Sequence, residues 1–286
     1  MAYVCLIYQF KIFYIFVINN LTMPKLTGNI QFTGSLDNLS AYRMRGSDQI
    51  ILRKKGGATK AKIKMHPNFA LTRQNNAEFG GCSRAGTAIR RAISPVIQLA
   101  ETRIVGQLNA LTRVILALDP VNARGERSIS FSQHRQLLEG YCLNRQLFFN
   151  TVVRNPVGCA IFRETGSANI LIPGLVPGVN LYTPPQYHMY RFIMVLGVVP
   201  DMVYKSTGYE PAAPVKYHPA NIKTDWYPVK EPQGEQSFDL QLDHFTTLAA
   251  THTLVLAMGI EFGYPVSNTI ISPVKHAGTA AILATG

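Results

Sequence analysis

Apolar residues recur with two different periods along this chain. Ala85, Ala88, Ile89, Ala92, Ile93, Val96, Ile97, Ala100 and Ile104 fall at i, i+3, i+4, i+7 and i+8. That spacing predicts a helical region over about 66–118, continued by Leu108, Leu111, Ile115 and Leu118. Pro67 suits a first turn, Gly80 and Gly81 predict a break, and Pro95 predicts a kink or division. The alanines on the stripe imply close packing against a neighbouring element.

Strand periodicity flanks this region. Segments 28–33, 39–45 and 49–53 read as three short strands in a meander, with turns at Gly34 and Ser35 and at Gly46 and Ser47; Gly56 and Gly57 close the unit. After Arg127, Ile129 and Phe131 alternate with serines, and Phe238, Leu240 and Leu242 alternate with polar residues. His252, Leu254, Leu256, Met258, Ile260 and Phe262 form one face of a long strand. Residues 192–199 are almost all apolar, which predicts burial on both faces, and 274–284 reads as a closing strand. The proline-rich stretch 205–236 reads as a long loop or an edge excursion. The expected fold is therefore α+β: a small N-terminal β-meander plus helices over 23–127, then an antiparallel β-sandwich of about seven strands over 128–286.

Residues 1–22 do not fit either pattern. They are apolar and aromatic but carry Lys11 mid-stretch, lack a basic leading region and offer no small-residue cleavage site. A mis-assigned start, with Met23 as the true first residue, is the expected reading, a signal or membrane anchor the alternative. A start at Met23 implies a cytoplasmic protein.

Composition adds a charge asymmetry. The chain has 286 residues, 47% hydrophobic and 15% charged, which fits about two folded domains and argues against long disorder. Its net charge of +12 is uneven. Residues 24–127 hold 17 Lys and Arg against 6 Asp and Glu, whereas 128–286 hold 10 of each. Arg43, Arg45, Arg53, Lys54, Lys55, Lys60, Lys62 and Lys64 cluster around one hairpin, and Arg84, Arg90 and Arg91 follow on the helix. Such a cluster fits either a solvated face or a polyanion contact, with Tyr42 placed to stack on a base.

Candidate chemistry is sparse. Phosphate-cradle, zincin and hydrolase motifs do not occur, and Cys5, Cys82, Cys142 and Cys159 lack CxxC spacing. Weak constellations are Asp243 and His244 with His252 as metal ligands, Cys142 or Cys159 with His134 as nucleophile and base, and Glu139 with Glu164 as acid and base. Satisfied sheet histidines and buried thiols explain the same residues. No cofactor is expected. The sequons at Asn20 and Asn38 matter only in a secreted chain.

Segments 28–46 (GNIQFTGSLDNLSAYRMRG), 76–82 (NAEFGGC), 137–144 (LLEGYCLN), 260–263 (IEFG) and 274–278 (VKHAG) resemble a family of uncharacterised Bacteroidetes proteins. The resemblance runs from about Met23 to the C-terminus. It implies no activity and no catalytic residue. The functional expectation is a non-enzymatic structural or assembly protein making protein contacts or self-associating. The alternatives are a sequence-nonspecific nucleic-acid binder using 25–103 and an enzyme of unrecognised type.

Overall fold

The computed structural model describes residues 25–27, 31–44, 46–267 and 270–286. The proposed start at Met23, and Arg45, lie outside them. The chain divides into two compact units at His66 and Pro67.

The first unit is a four-stranded antiparallel sheet and a short helix. Strands β1 (Lys25–Leu26), β2 (Gly34–Leu36), β3 (Leu39–Arg43) and β4 (Ile50–Lys54) lie in the order β1-β4-β3-β2. The turn between β2 and β3 falls at Asp37 (φ 46°) and Asn38 rather than at Gly34 and Ser35. The β3–β4 connection carries Gly46 at φ 82°, a left-handed conformation that glycine alone adopts without steric cost. Helix α1 (Lys60–Met65) starts at Thr59, whose hydroxyl accepts the Lys62 amide at 3.2 Å.

The second unit has three layers. Helix α2 (Ala70–Ala92), a 3₁₀ segment (Ser94–Leu99) and α3 (Ile104–Ala117) form the first. Pro95 divides the helical stripe as its fixed φ and missing N–H require. Gly80 and Gly81 do not break α2, contrary to expectation. Gly81 is buried against the Tyr209 ring, and a Cβ there would come within 2.6 Å of it, so the glycine serves packing and not termination.

The middle layer is a five-stranded antiparallel sheet. Strands β7 (Met189–Pro200), β13 (His252–Pro265) and β14 (Ile271–Thr285) lie side by side, and β10 (Ala220–Lys223) and β11 (Tyr227–Pro228) pair with the free side of β7. The third layer is the sheet β12 (Gln236–Gln241), β6 (Ser167–Ile172), β5 (Gly158–Phe162). A two-stranded ladder, β8 (Met202–Lys205) with β9 (Gly208–Pro211), and the short helix α4 (Phe149–Val152) complete the unit. The proline-rich 205–236 stretch thus supplies short edge strands. The 128–132 alternation reduces to one bridge, Ile129 to Met202.

Side-chain alternation assigns the faces. Ile193, Val195, Val255 and Ala257 pack with Ile89, Ile93, Val96 and Leu99 of the helical layer. Phe192, Met194, Leu196, Leu254, Leu256 and Met258 pack with Ala168, Ile170 and Leu240 of the small sheet. At Gly197 the end of α2 comes so close that a Cβ would lie 2.0 Å from the Ala92 carbonyl oxygen. The two sheets form the expected sandwich, and the helices cover its second face. The helical region therefore shares a core with the strand-rich half, and the division falls after His66 instead of after Arg127.

Candidate functional site

The basic hairpin is less unified than its sequence cluster. Along β3 and β4, side chains alternate between faces. Arg53 shares a face with Tyr42, its guanidinium 5.5 Å from the ring centroid, while Arg43 and Lys54 lie on the other face. Arg43 pairs with Asp48 at 3.5 Å, and both are largely exposed, so the pair contributes little. Lys55 donates from Nζ to the Asp37 carbonyl at 2.8 Å. Lys60, Lys62 and Lys64 are exposed on α1. Arg84, Arg90 and Arg91 belong to the second unit.

Arg84 and Arg91, but not Arg90, line a cleft of about 810 Å³ within the second unit. Helix α2 presents Ser83, Arg84, Thr87, Ala88 and Arg91 along one wall, a spacing of three to four residues that keeps them on one face. Val198, Pro200 and Met202 form the opposite wall, and residues 211–219 form the roof. Among the described residues, no carboxylate lines the cleft. Arg84 is anchored by a bond from Nη1 to the Tyr209 carbonyl. Arg90 donates from Nη2 to Thr87 Oγ1 at 2.8 Å, and its Nε is buried without a partner. Arg91 is exposed and makes no ion pair among the described residues.

The roof is held by buried and half-buried groups. The Ala212 amide donates to the Asp201 carbonyl at 2.8 Å. His252, buried at the start of β13, sits with Nε2 3.1 Å from the Ala213 carbonyl, so that nitrogen carries the proton. The Tyr217 hydroxyl donates to the Thr247 carbonyl at 2.7 Å and accepts the Thr246 and Thr247 amides at 3.3 Å.

The wall opposite α2 also offers main-chain groups. Phe192 bonds to Thr224 through its N–H and C=O, which directs the even residues of β7 toward β10. Pairing with β10 ends at Leu196. Val198 has the same parity, so its N–H and C=O point past the end of β10 toward the cleft, with no backbone partner among the described residues.

The remaining candidates are separated or structurally engaged. His252 is buried, whereas Asp243 and His244 are exposed. No group of three or more potential metal ligands occurs among the described residues. Cys142 donates to the Asn144 carbonyl at 3.2 Å, and burial pushes the Cys159 thiol up to about 11, far from a thiolate at neutral pH. Glu139 accepts the Thr285 amide and hydroxyl at 3.1 and 2.7 Å. Glu164 is exposed. No helix among the described residues is long and apolar enough to cross a membrane.

Arg84 and Arg91 stand out in the sequence as basic residues, but the cleft they line does not. The available signal was the Ser83, Arg84, Thr87, Arg91 spacing on α2, because all four recur on one helical face. Comparison with protein-family models, with curated proteins and with solved structures finds no match for this chain.

Proposed function

We propose that this protein is a non-enzymatic assembly protein that associates with further copies of itself through its β-sandwich. The observation that supports this reading is the edge of the small sheet. β5 pairs with β6 on one side, and among the described residues no strand is hydrogen-bonded to its other side, although Gly286 packs against Ile161. Its sequence, GCAIF, carries no charge and no proline, the devices by which proteins protect an open edge. Phe162 is 52% exposed, and Leu171 on β6, opposite Gly158 at the other end of the strand and on the same face, is 39% exposed. Arg163 would guard the strand end, but it turns inward and donates to the carbonyls of Ala249 and His252 at 2.7 and 2.8 Å. A second β5, antiparallel about a two-fold axis near Ala160, continues the sheet without meeting a charge.

Multi-angle light scattering across a concentration series tests this reading. The wild type is expected to dimerise, and Ala160→Lys and Phe162→Lys, both at exposed positions, to remain monomeric with unchanged circular dichroism. A wild type that stays monomeric at the highest concentration would overturn it.

A second reading, nonspecific nucleic-acid binding, is favoured by Lys54, Lys60, Lys62 and Lys64, which are exposed and make no ion pair among the described residues. Clustered cations of this kind bind phosphate with strong salt dependence.

A further inference from the structure

We propose that the cleft between α2 and the 211–219 roof binds a small amphipathic anion, a short apolar body carrying one phosphate or carboxylate. Its volume of about 810 Å³ falls within the range of roughly 300–1,000 Å³ common for small-molecule sites. The inference is independent of assembly through β5, which belongs to the other sheet.

Three features select the ligand. The first is charge. Arg84 and Arg91 stand two helical turns apart on one wall, His218 lines the roof, and among the described residues no acidic side chain lines the cavity; Glu210, outside the lining and paired with Lys205, is near enough to act on Arg84 but leaves Arg91 untouched. A concave surface of one sign concentrates the opposite ion. Arg84 is held in place by its bond to the Tyr209 carbonyl, so its guanidinium loses little freedom on binding. Arg91 makes no ion pair among the described residues, and its planar fork matches a carboxylate or phosphate edge.

The second is the apolar interior. Ala88, Ala92, Pro200 and Met202 give the cavity a surface that inorganic phosphate cannot use. Burying an alkyl chain there contributes in proportion to the area removed from water, and the flexible Met202 adapts to its shape. The third is hydrogen bonding. The Val198 N–H and C=O have lost their β-ladder partner because Pro219 and the roof depart from β7, and the Ser94 hydroxyl lies on the same lining. These groups orient a polar head without adding negative charge.

The roof is tied down from Asp201, His252 and Thr247, which makes the cleft preformed. Binding then requires no ordering of the loop, and the apolar and cationic parts stay at a fixed distance from each other.

Isothermal titration of the full chain with hexyl phosphate, hexanoate, hexanol and inorganic phosphate tests the proposal. At least one of the two amphipathic anions should bind at least about tenfold more tightly than hexanol and than inorganic phosphate, with affinity falling as salt rises. The preferred head group, phosphate or carboxylate, identifies the source chemistry. Arg91→Glu reverses an exposed charge that makes no ion pair among the described residues, and should weaken binding at least about tenfold with unchanged circular dichroism. Ala88→Phe, which fills the cavity, should weaken hexyl phosphate and hexanoate alike. Binding of the anions no tighter than that of hexanol or inorganic phosphate, or full affinity in Arg91→Glu, would overturn the proposal.

Discussion

Arg191 and Glu261 face each other across β7 and β13, with guanidinium Nη2 2.6 Å and Nε 2.7 Å from carboxylate Oε2. The other oxygen, Oε1, accepts the Gln98 side-chain amide at 2.8 Å, which ties the 3₁₀ segment to the sheet. Trp226 covers the guanidinium at 4.4 Å. The only acidic residue on β13 is thus 4% exposed and fully bonded.

Removing one partner of this pair should cost more than removing both. Arg191→Met leaves the Glu261 carboxylate buried with no cation, a loss on the order of 3 kcal/mol. The double variant Arg191→Met with Glu261→Leu removes the desolvation penalty together with the attraction and should recover part of that loss. Urea midpoints of the single and double variants measure it. A double variant no more stable than Arg191→Met would show that the pair is not electrostatically coupled.

Two adjacent glycines in α2 should respond in opposite directions to alanine. Nothing lies within 4 Å of a Cβ at Gly80, so Gly80→Ala gains helix propensity and should stabilise by up to about 1 kcal/mol. At Gly81 the Cβ would meet the buried Tyr209 ring at 2.6–2.7 Å, and Gly81→Ala should destabilise by about 1–3 kcal/mol through overpacking. Thermal melts of both variants decide the matter, and equal shifts would contradict the packing role of Gly81.

The same pair shows where the sequence was legible and where it was not. Local propensity reads two glycines as a break, but the reason for Gly81 is Tyr209, more than a hundred residues away. The apolar run of β7 reads as burial on both faces, as a central strand requires, whereas the alternation from His252 to Phe262 identifies one face of β13 and the structure buries the other as well. Ala257 faces the helices and Leu256 faces the small sheet. The change in charge at Arg127 marks surface composition and not a division of the fold, since Ile89, Ile93 and Leu99 share a core with Val195 and Val255. For the cleft, Arg84 and Arg91 were visible as basic residues. Their setting was not, because Val198, Met202 and His218 come from distant strands and turns. In the sequence the hairpin cations form one cluster, but strand alternation places Arg43 and Arg53 on opposite faces.

Acid should unfold the protein partly through Asp119. Burial opposes its charge, but the Asn122 side chain and the amides of Ser128, Val121 and Asn122 donate to the carboxylate and hold it down at about 2, below its ordinary 3.8. A carboxyl lowered in the folded state binds its proton later there than in the unfolded chain. Its contribution is therefore present above about pH 4 and is lost as pH falls toward about 2, amounting to at most about 2 kcal/mol. Asp119→Asn should lower stability at neutral pH and flatten the acid limb over that window. An acid limb as steep as that of the wild type would assign the transition to other carboxylates.

The nucleic-acid reading is decided by replacing Arg53, Lys54 and Lys55 together with Ala. Lys54 is exposed and forms no ion pair among the described residues, while Arg53 and Lys55 make only exposed contacts, with the Tyr42 ring and the Asp37 carbonyl. Stability should change by no more than about 0.5 kcal/mol per site, the usual range for exposed positions. If these cations meet phosphates, duplex-DNA binding weakens, and the slope of log K against log salt falls by up to about 3, near 0.9 per lost contact. Because Arg53 stands on the opposite face of the sheet from Lys54, a flat duplex should not engage both, and a drop closer to 1 or 2 is expected. The loss should be the same on unrelated sequences, since phosphate contacts position a protein without reading bases. Filter binding of the wild type at roughly 50 mM salt, where phosphate attraction is strong, provides the baseline. No detectable complex there would remove the nucleic-acid reading and leave these cations as a solvated face or a dock for an acidic protein.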